Sequence, residues 1–510
     1  MKHVLAIDAG TTGVTCLVLG DDGRIAGRGH REVPQYFPEP GWVEHDATEI
    51  LECVRAAARE AIADAGKPPV AIGITNQRET VVIWERATGK PVHRAIVWQD
   101  RRTADRCAGL ASKRAWIYER TGLIIDPYFS ATKIEWLLRE HALLDRHAPG
   151  DLAVGTIDTW LIWQLTGGAV HATDPTNASR TMLYDINAHA WTEELCQLFG
   201  VPRELLPEVR RSSGDFGVTK RSVLGFEAPI CGVAGDQQAA LFGQGCWSPG
   251  SGKNTYGTGA FLLMNAGPTR PKASEGLLTT IACDATGAPV YALEAAIFVA
   301  GAAVQWLRDG LGIIETAPDT EQLARSIDST DGVYFVPALT GLGAPHWEAD
   351  ARGTIVGLTR GSGRAHLARA ALESMAYGTR EVLESMRTAS GATFDRLRVD
   401  GGATANDWLM QFQADMLGVP VERPDVVETT ALGAAGLAGL AAGIWSSADD
   451  FIARRKFASF QPEMSRDDAR TLMDGWQRAV RATISWARDN AKSSGGETST
   501  EAAERPRQKR

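Results

Sequence analysis

The feature that most constrains this sequence is a short turn between two apolar segments near its start. Residues 4–8 (VLAID) are predicted to form a buried strand ending on Asp8, and residues 14–19 a second strand. The turn between them, 9–13 (AGTTG), offers backbone N–H groups and threonine hydroxyls that suit phosphate oxygens. Asp8, directly before this turn, is a candidate ligand of Mg²⁺, which prefers carboxylate and phosphate oxygens. The same string also fits an ordinary hairpin, so the rest of the chain has to decide.

Length and composition narrow the class of protein. A chain of 510 residues predicts two or more domains with separate cores. The net charge of −9 argues against non-specific binding to nucleic acid or to an anionic membrane surface. No run of about 18 apolar residues occurs, so membrane insertion is not expected, and no signal peptide precedes the first strand. Seven scattered cysteines without metal-binding spacing are typical of buried thiols in a reducing cytoplasm, where we expect the protein.

The opening pattern returns in the second half of the chain. Residues 229–236 (PICGVAGD) form another apolar segment that ends on an acid, Asp236, and two further Gly/Thr turns follow at 253–263 and 397–406. Because ligands of open α/β sheets bind at the carboxyl ends of strands, two facing halves would form one cleft. We therefore predict an α/β fold with three parts: an N-terminal domain (1–225), a C-terminal domain (226–491) and a disordered tail (492–510).

Two helices are predicted from their sequence patterns. Asp46 and Glu49 form a capping-box pattern at the start of the first, and Gly66 ends it. Residues 429–443 (TTALGAAGLAGLAAG) predict a helix of very small residues, which suits close backbone packing.

Neither G-x-x-x-x-G-K-[ST] nor G-x-G-x-x-G occurs, which argues against a P-loop NTPase and a dinucleotide-binding fingerprint. A bound nucleotide would have to be held by several separated turns.

Eight strings, spread over residues 3–445, together resemble the FGGY family of carbohydrate kinases, and its glycerol kinases in particular. They are DAGTT (8–12), ITNQRET (74–80), GTIDTWLIW (155–163), AGDQQAALFGQ (234–244), NTYGTG (254–259), GLGAPHW (341–347), GLTRG (357–361) and RVDGGATAN (398–406). The resemblance implies two actin-like (ribonuclease H-like) ATPase domains with a cleft between them. It also implies phosphorylation of glycerol to sn-glycerol 3-phosphate, with ATP and Mg²⁺ as cofactors. The alternatives are an FGGY kinase for a pentulose or another polyol, and an actin- or heat-shock-like ATPase.

The resemblance also implies roles for individual residues. Asp236 would be the general base and Asp8 the metal ligand. The substrate would be bound by Arg78, Glu79, Trp98, Tyr128, Asp236, Gln237, Phe261 and Thr11. ATP would be bound by Thr11, Thr12, Gly13, Thr258, Gly259, Gly301, Gln305, Gly402 and Asn406. The expected partners are glycerol and ATP or ADP, in a homo-oligomer (dimer or tetramer).

Several positions have a simpler structural interpretation. Asp236 fits a helix N-cap ahead of Gln237, and Trp98 fits a core position. Arg78 and Glu79 fit an exposed surface pair, and Gly402 fits a plain turn.

Two segments depart from the family pattern. Gly13-Val14-Thr15 stand where the family often has Ser-Ser-Arg, which removes one cationic phosphate contact, and Ala9 stands where it often has Gln. Residues 217–228 lack the loop through which some relatives respond to fructose 1,6-bisphosphate, so such feedback is not expected.

Overall fold

The computed structural model describes residues 2–274 and 276–494. Its strands are β1 (His3–Ala9), β2 (Gly13–Gly20), β3 (Ile25–Glu32), β4 (Glu44–His45), β5 (Ala71–Asn76), β6 (Val81–Glu85), β7 (Ala95–Ile96), β8 (Leu152–Thr156), β9 (Ala172–Thr173), β10 (Tyr184–Asp185), β11 (Ala190–Trp191), β12 (Glu208–Val209), β13 (Ile230–Gly235), β14 (Gly252–Tyr256), β15 (Ala260–Gly267), β16 (Leu278–Cys283), β17 (Pro289–Ile297), β18 (Tyr334–Val336), β19 (Thr354–Val356), β20 (Leu397–Asp400), β21 (Val421–Pro424) and β22 (Phe457–Phe460).

Its α-helices are α1 (Ala47–Ala65), α2 (Ala104–Ala108), α3 (Arg114–Thr121), α4 (Ser130–Glu140), α5 (Leu143–Arg146), α6 (Ile157–Leu165), α7 (Pro175–Ala178), α8 (Glu193–Leu198), α9 (Arg221–Leu224), α10 (Asp236–Gly243), α11 (Gly301–Gln305), α12 (Asp319–Arg325), α13 (Arg364–Ser390), α14 (Asp407–Leu417), α15 (Thr429–Ala441), α16 (Ala448–Ile452) and α17 (Arg466–Ser494). Strands and helices alternate along much of the chain, which confirms the predicted α/β class.

The first large sheet places two acidic residues at one edge. Its five strands run in the order β13-β5-β1-β2-β3, with β1, β5 and β13 parallel. Ala9 lies level with Asn76, and Asn76 lies level with Gly235. Asp8 therefore lies at the carboxyl end of β1, and Asp236 follows the carboxyl end of β13 two strands away. Strands in a sheet lie about 4.8 Å apart, so the two positions are separated by about 10 Å across the sheet.

The second large sheet brings the other two Gly/Thr turns together. It has seven strands in the order β16-β17-β15-β14-β20-β21-β22. The hairpin β14–β15 turns at residues 257–259, and the parallel strand β20 enters its own turn at Gly401. Thr255 on β14 lies level with both Asp400 on β20 and Phe261 on β15. The two turns therefore lie at the same sheet edge.

Helix α15 joins the second half of the chain to the first sheet. It packs against β1, β2, β5 and β13, and against α10. A Cβ atom at Gly433 would lie 1.8 Å from the Ala239 carbonyl oxygen, and one at Gly73 would lie 2.1 Å from the Ala434 carbonyl oxygen. These contacts exclude any side chain larger than hydrogen, which confirms the close backbone packing predicted for this helix.

Helix α1 begins where predicted, but its capping box does not form. Asp46 is the N-cap and accepts the Thr48 N–H, and Gly66 ends the helix in the left-handed region at φ 69°. The prediction for Glu49 is wrong, because its carboxylate accepts the hydroxyl of Tyr36 at 2.9 Å instead of turning back to the cap.

The domain boundary at residue 225 stays a prediction, although β13, which follows it, completes the first sheet. Of the predicted tail, 492–494 belong to α17 and 495–510 lie outside the described residues. Over the described ranges, no helix is long and apolar enough to span a bilayer. All seven cysteines are free thiols, and six of them are buried. The oligomeric state also stays a prediction.

Candidate active site

Two carboxyl groups at the edge of the first sheet influence each other. Burial, together with the nearby charge of Asp236, raises the pKa of Asp8 to about 7. Burial also raises the pKa of Asp236, against the opposing effect of the Arg78 guanidinium. Two acids that disfavour ionisation are suited to a site that a divalent cation completes. No cluster of three or more His, Cys, Asp or Glu forms within residues 2–274 and 276–494. A cation beside Asp8 would therefore have to take its other ligands from phosphate and water.

Within the described residues, the carboxylate of Asp236 bonds to the protein through one of its two oxygens. Oδ1 accepts the Gln237 N–H at 2.7 Å and lies 3.3 Å from Nε of Arg78. Oδ2 has no hydrogen-bond partner in the described part of the chain, and 31% of the side chain is exposed. Gly235, rather than Asp236, is the N-cap of α10, so the simpler interpretation of Asp236 as a cap does not hold. The free oxygen is available to a ligand.

A buried network of opposite charges contacts Asp236 through Arg78. Arg78 and Glu294 form two hydrogen bonds, at 2.5 and 3.2 Å. Arg180 donates to Glu79 at 2.6 Å and to Glu294 at 2.9 Å. Arg78, Glu79, Arg180 and Glu294 are exposed by 3%, 1%, 0% and 4%, so the interpretation as a solvent-exposed pair does not hold. The two predicted neighbours are paired mainly with residues that the sequence analysis did not identify.

Arg180 and Glu294 were missed because nothing near them in the sequence marks them as partners. Glu294 lies on β17 of the second sheet, 216 residues after Arg78. A buried Arg–Glu dipeptide requires further partners, because an uncompensated buried charge is costly. The sequence could therefore have predicted that Arg78 and Glu79 have further charged partners, but it could not have predicted where in the chain those partners lie.

The pKa values of the two glutamates in this network are shifted in opposite directions. Burial favours the neutral form of Glu294, but the guanidiniums of Arg180 and Arg78 hold its pKa down to about 2. For Glu79, burial outweighs the same two arginines and raises its pKa. Glu79 also has φ 63°, a left-handed conformation that costs a non-glycine residue about 1–3 kcal/mol and is concentrated at functional sites.

Two aromatic side chains, Tyr128 and Trp98, lie beside this network. The Trp98 indole N–H donates to Oγ1 of Thr11 at 2.9 Å, which ties it to the first phosphate-type turn. Trp98 and Tyr128 form an edge-to-face pair at 5.5 Å, and Arg78 donates to the Tyr128 hydroxyl at 3.3 Å. Trp98 is half-buried, which is not the environment of a core tryptophan. Phe261 is half-buried on β15 but makes no ring contact with Trp98 or Tyr128 within the described ranges.

The first turn is tight and is packed from one side. Gly10 N–H donates to the Gly13 carbonyl at 3.0 Å, and Thr12 is exposed. A Cβ atom at Gly13 would lie 2.7 Å from the His30 ring, whose Nδ1 lies 3.0 Å from Oγ1 of Thr15. The departures from the family pattern at Gly13 and Thr15 thus accommodate His30 of the neighbouring strand.

A second set of predicted residues lines one cavity of about 320 Å³ on the C-terminal half. Its lining includes Thr258, Gly301, Gln305, Gly402 and Asn406, all predicted from the sequence to bind ATP. A Cβ atom at Gly402 would meet no atom within 4 Å, so any side chain there would project into open space beside the cavity.

Two other glycines of the predicted nucleotide site serve the packing of the protein. A Cβ atom at Gly301 would lie 2.6 Å from the Gly257 carbonyl oxygen, and one at Gly259 would lie 2.5 Å from that of Ile297. Asn406 has a double role, because its side chain caps α14 by accepting the Leu409 N–H at 2.9 Å while it lines the cavity.

These features define a class of protein. One acid lies at the carboxyl end of β1 and another follows β13, and two α/β halves contribute Gly/Thr turns and a nucleoside-sized cavity. This is the arrangement of a phosphotransferase with the actin-like ATPase fold. Models of the FGGY family of carbohydrate kinases match both halves, the N-terminal domain over residues 3–243 and the C-terminal domain over 252–442.

Similar proteins narrow the class further. A glycerol kinase of Deinococcus radiodurans is 52% identical over 495 residues, which cover 96% of this chain and 99% of that protein. A glycerol kinase of Halorhodospira halophila is 53% identical over 497 residues, covering 96% and 98%. The crystal structure of Plasmodium falciparum glycerol kinase with ADP is similar at a TM-score of 0.91 and 37% identity, covering 95% of this chain and 98% of that one. The chain belongs to the glycerol kinases of the FGGY family of carbohydrate kinases.

Proposed function

We propose that this protein transfers the γ-phosphoryl group of ATP to glycerol, forming sn-glycerol 3-phosphate and ADP, with Asp236 as the general base. One observation carries the residue assignment: Asp236 keeps Oδ2 free at the end of β13, while Oδ1 is held by Gln237 and Arg78. The names of the relatives that are 52% and 53% identical to the chain support glycerol as the acceptor.

The proton of the attacking hydroxyl goes to Oδ2 of Asp236. The hydroxyl oxygen forms a bond to the γ-phosphorus, the bond from that phosphorus to the bridging oxygen of ADP breaks, and the proton later leaves Asp236 for water. A positioned general base contributes about 10²–10⁴ to the rate. Arg78 holds the other carboxylate oxygen in place, so the basic oxygen keeps a fixed direction.

The polyol would be held by polar groups on one side and by carbon surface on the other. Arg78 and Gln237 supply donors, Glu79 supplies an acceptor, and Tyr128 supplies a hydroxyl that can do either. Trp98 covers the carbon backbone of the substrate, as apolar walls do in small-molecule sites. A larger sugar would need more polar partners than this set provides.

The phosphates would lie between the turns of the two halves. Thr11 and Thr12 supply hydroxyls from the first turn, and Thr258 supplies another from the second. The cavity that includes Gly402 and Asn406 has the volume and the open backbone to accept a nucleoside. A bound Mg²⁺ would supply charge neutralisation for the phosphates. Asp8 would hold it, and the raised pKa of this buried acid fits a group that a cation would keep ionised.

A panel of acceptors tests the proposal. We expect glycerol to exceed dihydroxyacetone, xylulose, ribulose and erythritol in kcat/KM when ADP release is followed by a coupled assay. A preference of about tenfold or more for any of the sugars, equivalent to about 1.4 kcal/mol, would overturn the choice of substrate. ATP hydrolysis that no polyol stimulates would instead favour an actin- or heat-shock-like ATPase.

A further inference from the structure

A lysine that the mechanism above does not use lies next to the proposed polyol site. Lys253, on β14, is completely buried, with an exposed fraction of 0%. Its ammonium donates to Oε1 of Gln237 at 2.5 Å and to Oγ1 of Thr255 at 2.6 Å. Burial lowers its pKa, while the charges of Asp400 and Asp236 favour its protonated form. A buried cation with so few partners is expensive to maintain, so its position calls for a functional explanation.

The contact with Lys253 determines which end of the Gln237 amide is presented. An ammonium group has three donors and no acceptor, so only the amide oxygen can face it. The amide NH₂ must then point away from Lys253. Within the described residues that NH₂ group has no acceptor, and Gln237 is half-buried rather than enclosed. It is therefore left to bond a ligand.

We propose that Lys253 is a positioning residue: it locks the Gln237 amide so that its NH₂ group donates to a hydroxyl of the bound polyol. This inference rests on the proposed function, because it assigns a role to Lys253 at that same site. Without Lys253 the amide can rotate, and part of the free energy of polyol binding is spent on selecting one orientation. Thr255 holds the second N–H of the ammonium and so fixes the direction from which Lys253 approaches.

A double-mutant cycle tests this coupling. The variants are Lys253→Met, which keeps much of the length but no donor, Gln237→Ala, and the two combined, each compared with the wild type. We expect Lys253→Met to raise the KM for glycerol about tenfold, as for the loss of one hydrogen bond, and to leave the KM for ATP within about twofold. In the Gln237→Ala background the same substitution should change the KM for glycerol by less than about twofold.

Conservative and neighbouring variants complete the design. Lys253→Arg keeps donors and charge and should recover part of the lost affinity for glycerol. Asn254→Ala is the matched control, because Asn254 is the next residue on the same strand, is buried, and bonds Thr379 on the opposite face. It should leave both KM values unchanged. If Lys253→Met does not fold, Thr255→Val removes the second acceptor of the ammonium and should raise the KM for glycerol in the same direction, again only when Gln237 is present.

The outcomes separate this inference from the proposed function. Equal increases in KM with and without Gln237, or equal increases for glycerol and ATP, would overturn the positioning role while the wild-type enzyme still phosphorylates glycerol. A wild-type protein that does not phosphorylate glycerol would overturn both.

Discussion

Replacing Asp236 by Asn removes the proposed base and very little else. The polar contacts that the described residues make with this carboxylate are with Oδ1, so the amide oxygen of Asn can occupy that position and keep the Gln237 N–H and the Arg78 guanidinium. The amide NH₂ then stands where Oδ2 stood, and it has no lone pair to accept a proton. We expect kcat to fall by about 10²–10⁴, which corresponds to about 3–5 kcal/mol in the activation free energy.

The fold and the polyol site should survive this substitution. Burial raises the pKa of Asp236, which means that the folded protein disfavours the charged form, so a neutral side chain does not destabilise it. The assay combines single-turnover kinetics with glycerol binding measured by isothermal titration calorimetry. Asp158→Asn is a suitable control, since Asp158, in the first turn of α6, is a buried acid whose carboxylate accepts the hydroxyls of Thr156 and Thr173. The kcat of this variant should stay near the wild-type value.

Two results would refute the reasoning. Turnover of Asp236→Asn within about tenfold of the wild type would remove Asp236 from the role of base. Loss of glycerol binding with an intact fold would show that the carboxylate also holds the substrate. The assignment of Oδ1 to the protein contacts and of Oδ2 to the proton transfer alone would then be wrong.

Burial, charge and the open space at Gly402 each lead to a further test. Activity should fall with decreasing pH through an apparent pKa above the ordinary aspartate value of 3.8, because burial raises the pKa of Asp236; a kcat/KM profile that stays flat down to pH 4 would contradict this. Glu294→Gln should lower the free energy of unfolding by about 3–5 kcal/mol, because it leaves two buried arginines with one partner fewer. Glu60→Gln, at an exposed ion pair, is the control and should change it by less than about 1 kcal/mol. Equal effects of the two substitutions in urea titrations would contradict this prediction. Gly402→Val should raise the KM for ATP and leave the KM for glycerol unchanged, because the valine side chain would project beside the nucleoside cavity. Gly363→Ala, at an equally open position outside that cavity, is the control and should change neither KM value.

The low pKa of Glu294 makes the free energy of unfolding depend on pH in acid. The pKa of Glu294 is held at about 2 in the folded protein, below its ordinary value of 4.5. The stabilisation that this group provides is present above pH 4.5 and is lost as the pH falls from there toward 2. An acid titration of unfolding should therefore be less steep in Glu294→Gln over that range.

Short sequence patterns were sufficient to predict much of the fold. The strand–turn–strand at Asp8, the apolar segment that ends at Asp236 and the small-residue helix that became α15 were all predicted from the sequence. In each case the signal lies within about 15 consecutive residues, because strand period, turn chemistry and helix packing are local properties. The capping box at Glu49 failed for the opposite reason, since a tyrosine outside the helix took its carboxylate.

Tertiary structure alone decided the charge arrangement of the site. Arg180 lies 101 residues from Glu79 and Glu294 lies 216 residues from Arg78, yet the four form one buried network. The same holds for Lys253, whose contact with Gln237 depends on how the second sheet meets α10. The sequence by itself determined which residue types stand at the strand ends. Their partners were decided only by folding, because a buried charge is compensated by whatever the packed chain brings within hydrogen-bonding distance, regardless of its separation along the sequence.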